Sequence, residues 1–245
     1  GSVSLVGARL DDLTLAKYHE DLAADSPEVK LLDKATADNA YFIELGVLGK
    51  DLSLPGATTR WQSNDRELTV EKPVTLTWNN GAGLTFERRI EVDDQYMFTV
   101  TTSVKNNGAG AVVLYPYGVI SRNYADKGKH VVFMHEGPLG VVNNVLEDIT
   151  YKKLRKDGPQ KFEKSTGWIG LTDKYWLTAI IPDSKVQFDA QYKHFTRGSG
   201  DAYQSDYRAQ ALEVPVGHTE EIKVQVFAGA KKVKTLDQYK EQYGI

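Results

Sequence analysis

Cysteine is missing from all 245 residues, which excludes disulfide staples, thiol catalysis and thiolate metal sites. Long apolar runs are missing too. No stretch approaches the ~20 consecutive apolar residues of a membrane-spanning helix, and no secretory leader opens the sequence. Gly1-Ser2 reads as a cloning remnant, with an excised fragment starting at Val3. An excess of charge of one sign is also lacking. The 30 basic and 33 acidic residues leave a net charge of -3, which gives no global attraction to nucleic acid or to anionic headgroups. Two basic clusters stand out, Lys152-Lys153 with Arg155-Lys156 and Lys231-Lys232 with Lys234. Both are short enough to be solvated surface, so a nucleic-acid role is disfavoured. No HExxH motif, nucleophile elbow, phosphate loop or EF-hand loop is present.

What is present is alternation. Val74, Leu76 and Trp78 face one way and Thr75 and Thr77 the other, before Asn79-Asn80-Gly81 supplies a tight turn. Leu84, Phe86, Ile90 and Val92 return, with Arg88 a polar exception at an inward position. Tyr96, Phe98, Val100, Thr102 and Val104 follow after Asp93-Asp94-Gln95, completing a three-stranded meander. A first hairpin is expected to turn at Asp11-Asp12. Further strands are expected at Val29–Leu32, Tyr41–Leu48, Ala111–Ile120, Val131–His135, Ile149–Leu154, Val186–Phe195, Ala202–Leu212 and Ile222–Phe227. Lys50–Arg60 and the apolar, breaker-rich segment His135–Val142 read as loops.

The stretch Gly167–Asp183, GWIGLTDKYWLTAIIPD, reads as a hairpin: two apolar runs around the polar turn Thr172-Asp173-Lys174, closed by Pro182. Trp168, Tyr175 and Trp176 are expected in the core. Many strands, frequent turns and hardly any helical period indicate an all-β fold, a large twisted β-sandwich. No linker divides it, and sandwiches of this size form single domains. Residues 1–230 are assigned to the sandwich and 231–245 to a short C-terminal α-helix. There Thr235 and Gln238 form a capping box, and Leu236, Tyr239 and Tyr243 a stripe.

Candidates for chemistry are few. His130 and His135, five apart, point to opposite faces of a strand, and a zinc site needs a third convergent ligand. His130, His135, Glu136 and His194 are the raw material for acid and base work on a sugar, but no spacing among them is diagnostic. Arg122 reads as a structural ion-pair partner. The tyrosines are mostly core and rim residues, although Tyr192, Tyr203 and Tyr207 equally suit a groove lining. No cofactor or metal is implied.

Five sets of residues occur in one order along nearly the whole chain: Gly7-Ala8-Arg9-Leu10-Asp11-Asp12-Leu13, Leu76–Gly81 with Gly83–Phe86, Pro116–Arg122, Gly167–Asp183, and Phe227–Lys231 with Leu236–Ile245. In these the chain resembles the large periplasmic domain of the YidC family of membrane protein insertases. The resemblance implies a supersandwich of galactose mutarotase-like architecture and no enzymatic activity. It places the domain on the periplasmic side of the bacterial inner membrane, between membrane helices that this chain lacks. It implies the SecD-SecF complex and the Sec translocon as partners and nascent inner-membrane proteins as substrates. By position, His135, Leu139, Val141, Tyr151 and Lys153 fall in the region it associates with SecF. Leu236, Tyr239 and Tyr243 become a helix coupling the domain to the membrane core. The competing hypotheses are a carbohydrate-binding or mutarotase-like domain, which requires a histidine and a carboxylate converging in an accessible pocket, and a purely structural spacer.

Overall fold

A computed structural model describes residues 1–21, 23, 25–124, 135–198 and 200–243. The strands in chain order are β1 (Ser2–Val3), β2 (Leu10–His19), β3 (Glu28–Leu32), β4 (Tyr41–Leu48), β5 (Gln62–Ser63), β6 (Val74–Asn79), β7 (Leu84–Val92), β8 (Met97–Asn106) and β9 (Val112–Tyr124). They continue with β10 (Gly137–Val142), β11 (Val145–Asp148), β12 (Gln160–Ser165), β13 (Gly167–Thr172), β14 (Trp176–Pro182), β15 (Phe188–Arg197), β16 (Gly200–Ala209), β17 (Leu212–Val214) and β18 (Thr219–Ala230). Helix α1 is Tyr151–Asp157 and α2 is Val233–Tyr243.

Among the described residues these strands form two nine-stranded sheets. The first runs β1-β2-β4-β9-β16-β15-β12, with β3 on β2 and β17 on β9. The second runs β11-β10-β13-β14-β18-β8-β7-β6-β5. Every pairing in both is antiparallel. The sheets close over one apolar layer that includes Leu15, Ile43, Phe86, Ile120, Ile180 and Val226. This is the expected sandwich, and β6, β7 and β8 are the expected meander.

The Gly167–Asp183 hairpin forms as β13 and β14, with Ile169 opposite Ile180 and Thr172 opposite Leu177. It is apolar on both faces because both are covered. Ile169, Leu171 and Ile180 enter the inter-sheet core. Trp168, Leu177, Ala179 and Ile181 join Met97 and Phe227 in a second cluster around Tyr239 of α2. Tyr175 departs from expectation: it sits at the turn and is 52% exposed, while Trp176 is half-buried.

Four local expectations are corrected. Asp11-Asp12 is not a turn but part of β2; the chain reverses earlier, where Gly7 and Ala8 adopt φ of 78° and 49°. The segment His135–Val142 is not a loop throughout, because β10 pairs with β13 over six residues. Ile149–Leu154 is not a strand. Thr150 accepts the Lys153 amide, Gly158 closes the last turn on the Leu154 carbonyl at φ 81°, and the intervening residues are α1. Finally, α2 starts two residues before Thr235, since the Leu236 amide already bonds the Lys232 carbonyl, so Thr235 is no cap. The expected strand at Val131–His135 and the His130 candidate lie almost wholly outside the described residues.

Candidate functional site

The two sheets end differently on their two sides. On the side of β10, β15 and β16, helix α1 closes the gap between them. Leu154 is completely buried there, and the Tyr151 ring lies 4.3 Å from both Tyr124 and Tyr203, centroid to centroid. Arg155 ties the helix outward to Asp201 at 2.9 Å, and the same carboxylate holds His194 at 2.6 Å. Both contacts lower the Asp201 pKa, the His194 hydrogen bond most. Arg122 of β9 bridges to Asp173 of the other sheet's hairpin at 2.5 Å and also reaches the Tyr151 hydroxyl. This is the structural ion pair expected of it.

On the opposite side no helix closes the gap among the described residues, and the chain after β1 meets the chain before β5 through the Trp61–Leu5 and Gly7–Thr59 backbone hydrogen bonds. A cleft of about 1130 Å³ opens between β1 and β2 of one sheet and β5, β6 and β7 of the other. Its floor is apolar, with Leu10, Leu32, Val74, Leu76 and Phe98 reached past Leu13 and Leu68. Its lips are acidic: Asp11, Asp12, Asp65, Glu67, Asp93 and Asp94 line it against Lys17 and Arg66. Burial raises the Asp11 pKa, with Arg9 opposing, and Arg9 is itself engaged by Glu44 at 2.6 Å. A hydrogen bond from Lys72, 2.8 Å away, lowers the Asp65 pKa and pins the base of the 65–72 loop. At both lips a sheet terminates in a two-residue strand, β1 or β5. The backbone groups beyond those strands form the kind of edge that accepts an added strand.

The residues expected to meet a partner do not form one surface. Leu139 and Val141 are half-buried on the outer face of the second sheet, packed on the cluster beneath α2. Tyr151 belongs to the inter-sheet core and is withdrawn from solvent. Lys153 is exposed on α1, and His135 meets the Pro138 carbonyl through Nε2 at 2.9 Å. The expected groove tyrosines are core residues: Tyr192, Tyr203 and Tyr207 are all buried. Their strands alternate, and these rings fall on the inward face. Tyr207 also touches a hollow of about 480 Å³ on the outside of the first sheet. Of the carboxylates there, Asp206 is bonded by Gln191 and Gln204 and paired with Lys193, and Asp189 accepts the Lys164 amide.

In α2 the expected stripe is realised. Tyr239 is buried against Phe227, its hydroxyl donates to Asp93, and burial followed by that bond raises its pKa. Leu236 and Tyr243 pack around it.

No histidine is among the described residues that line the cleft. Neither His135, bonded to the Pro138 carbonyl, nor His194, bonded to Asp201, lines it. Among the described residues no three His, Cys, Asp or Glu side chains are placed to hold a metal ion. His194 does meet a carboxylate, Asp201, but the pair lies outside the cleft and is shared with Arg155 of α1. Sequence reasoning missed the cleft because its lips come from three separated segments.

The comparisons follow the same lines. The family model described as YidC periplasmic domain matches residues 1–244. A membrane protein insertase YidC of Sinorhizobium fredii is 42% identical over 249 residues, covering all of this chain and 42% of that protein. One from Granulibacter bethesdensis is 42% identical over 254 residues, again covering all of this chain and 44% of that protein. The chain thus spans less than half the length of these relatives. Among solved structures, a galactose mutarotase related enzyme from Lactobacillus acidophilus has a TM-score of 0.61 at 9% identity, covering 94% of each chain. A galactose mutarotase-like protein from Lactobacillus casei has a TM-score of 0.58 at 11% identity, covering 92% of this chain and 95% of its own. At such identity the likeness shows the fold alone.

Proposed function

The chain belongs to the family of YidC periplasmic domains, and from that premise we propose that it is the binding and scaffolding module of a membrane protein insertase, working on the periplasmic side of the inner membrane. The family is one of insertase domains rather than enzymes. The observation that carries the binding role is the open cleft, apolar at its floor and acidic at its lips. Such a site suits an extended, apolar segment of a substrate chain that carries lysine or arginine beside its apolar residues. The segment would bury apolar side chains on Leu13, Leu68 and Phe98, pair its cations with Asp12 and Glu67, and add its backbone to β1 or β5.

The scaffolding role rests on the resemblance. The SecD-SecF complex and the Sec translocon are its proposed partners. In the associated segment, the solvent-facing material is the β10–β11 hairpin, where Val145 and Leu146 are exposed, together with Lys153 on α1. Contact there replaces the earlier expectation of contact through Tyr151.

An NMR titration of the chain with lysine-flanked apolar peptides tests the cleft. Shifts confined to Leu13, Leu68 and Tyr96 are expected, and charge reversal of Asp12 and Glu67 should weaken binding by about two- to tenfold, as exposed ion pairs do. Absence of localised shifts, or equal affinity for glutamate-flanked peptides, overturns the reading. Photocrosslinking from Leu146 and Lys153 in the full-length protein tests the Sec contact.

A further inference from the structure

Where α2 begins, aromatic rings and lysines from three distant parts of the chain form a patch separate from the cleft. Tyr18, near the end of β2, packs edge-on against Trp176 with centroids 5.4 Å apart, and Tyr175 flanks Trp176 at 6.4 Å. Lys232 lies over the Tyr18 ring at 4.9 Å and Lys174 over Tyr175 at 4.6 Å. Lys231 is anchored beside them by its amide, which donates to the Tyr175 carbonyl at 2.9 Å. Lys234 is exposed in the first turn of α2.

Two features set this patch apart from ordinary solvated lysines. First, it projects apolar side chains: Tyr175 is 52% exposed and Val233 is 74% exposed, the highest value for a large apolar residue among the described residues. Second, the neighbouring carboxylates Asp173 and Glu136, which act on Lys231, are also bound by Arg122 at 2.5 Å and by the Tyr124 hydroxyl at 2.8 Å, while Lys232 and Lys234 are exposed and Lys174 is partly exposed. Lys17 is the exception among the local cations, donating to the Asp94 carbonyl. Asp237 is an exposed acid further along α2. The patch therefore presents excess positive charge around protruding apolar groups.

Lysine stems laid on aromatic faces, with ammonium groups outward, match a membrane interface, where tyrosine and tryptophan sit at headgroup level and cations meet phosphates. We infer that Tyr175, Val233 and the lysines Lys174, Lys231, Lys232 and Lys234 form a surface that rests on anionic lipid headgroups. The inference depends on the reading above that the domain works beside a bilayer. An anionic lipid is favoured over an acidic protein because the two apolar side chains protrude, as insertion into a headgroup layer requires, and line no groove. The short basic run 231–234, first read as plain solvated surface, takes on this role only when the fold sets Tyr18 and Tyr175 beside it.

The test is co-sedimentation of the 245-residue chain with vesicles of equal parts phosphatidylglycerol and phosphatidylethanolamine, and with pure phosphatidylcholine vesicles, at low salt. Binding to the anionic vesicles alone is expected, weakening as salt is added. Lys174→Ala with Lys232→Ala should lower the partition coefficient by about 25-fold, at roughly fivefold per lysine. Tyr175→Ser should weaken binding without altering its salt dependence. These residues are at the surface, and unchanged circular dichroism confirms that the variants fold. No binding to anionic vesicles, or binding that none of these changes affects, overturns the inference. Peptide binding in the cleft is measured separately on the same variants and should not change. Failure on vesicles with intact peptide binding leaves the cleft reading in place, and the reverse result separates the two in the other direction.

Discussion

Tyr239→Ala should release α2 from the sandwich while leaving the sandwich folded. Tyr239 is the one fully buried side chain of the helix, and its partners lie on the outer face of the second sheet: Phe227 at 5.8 Å between centroids, with Trp168 and Leu177 in the same cluster. Removing a buried aromatic ring costs about 3–5 kcal/mol, and losing its hydrogen bond to the Asp93 carboxylate adds roughly 1.5–3 kcal/mol. The remaining anchors, Leu236 and Tyr243, are only half-buried. A helix of 11 residues has little stability of its own. The penalty therefore falls locally, on docking, and hydrogen exchange should reveal it. Amides of α2 should exchange at least two orders of magnitude faster, since each 1.4 kcal/mol is tenfold and local opening is read directly. Amides of β8 and β18 should keep most of their protection, and Trp168 fluorescence should shift red as its cover leaves. If α2 keeps its protection, or if exchange accelerates equally in β8, β18 and α2, the helix is not an independently docked element and the reasoning fails.

Leu154→Ala should cost about 3–4 kcal/mol by opening a cavity under α1, lowering Tm by roughly 10 °C in a thermal melt. Arg88 is buried, donates to the Ala8 carbonyl and the Thr102 hydroxyl, and lies over Trp61, and burial pushes its pKa down to about 10. Arg88→Met removes a desolvated charge and should leave stability at pH 7 within about 1 kcal/mol of the parent or raise it; a loss above about 3 kcal/mol in urea titration would refute that. Burial pushes the hydroxyl of Tyr151 up to about 12 and those of Tyr41, Tyr192 and Tyr207 well above the usual range. Raised folded-state values mean full stability below pH ~10, where unfolded tyrosine is protonated, and loss above it. Four such groups remove roughly 5–6 kcal/mol per pH unit, so circular dichroism and tyrosinate absorbance should change together. Tyrosinate appearing near pH 10 in a still-folded chain would show that these rings are accessible.

The strands legible in the sequence are those with one dry face and one wet face. β6, β7 and β8 alternate because their outer residues meet water, and the polar exception, Arg88, does point inward. Where a strand is covered on both faces, as in β13 and β14, alternation disappears and only the turn and the closing proline mark it. α1 was misread because seven residues are too few to show a helical period. Its capping residues Thr150 and Gly158 were nevertheless visible. β10 was misread because Gly137-Pro138 and Gly140 resemble breakers. Gly140 is in fact fitted to the sheet, since a Cβ there would lie 2.5 Å from both the Trp168 carbonyl and the Tyr192 hydroxyl. Tyr203 and Tyr207, four apart in β16, share a face, but which face is inward is decided by the opposite sheet. The cleft and the lysine-aromatic patch could not be read at all, because each joins segments separated by tens to hundreds of residues.

The arrangement assigns different work to the three open boundaries of the sandwich. One gap between the sheets is plugged by α1 and locked by Arg122, Tyr151 and Arg155, so it contributes stability and little surface. Among the described residues no helix plugs the opposite gap, and its acidic lips stand over an apolar floor that a folded domain would ordinarily cover. The outer face of the second sheet is covered by α2, which carries Lys234 of the patch in its first turn and directly follows Lys231 and Lys232, and whose Tyr239 reaches Asp93, an acid that also lines the cleft. α2 thus adjoins the patch at its start and the cleft through Tyr239 and Asp93. Undocking α2 would free Asp93 at the cleft lip and displace Lys232 from Tyr18 in the same step. Tyr239→Phe isolates that coupling, because it removes the bond to Asp93 and keeps the ring. The sandwich core should be unchanged and vesicle binding nearly so, while the cleft gains an unbonded carboxylate oxygen. Lysine-flanked peptides should then bind about two- to fivefold more tightly, the scale of one exposed charge pair. Equal affinity for parent and variant would show that the cleft and the helix act independently.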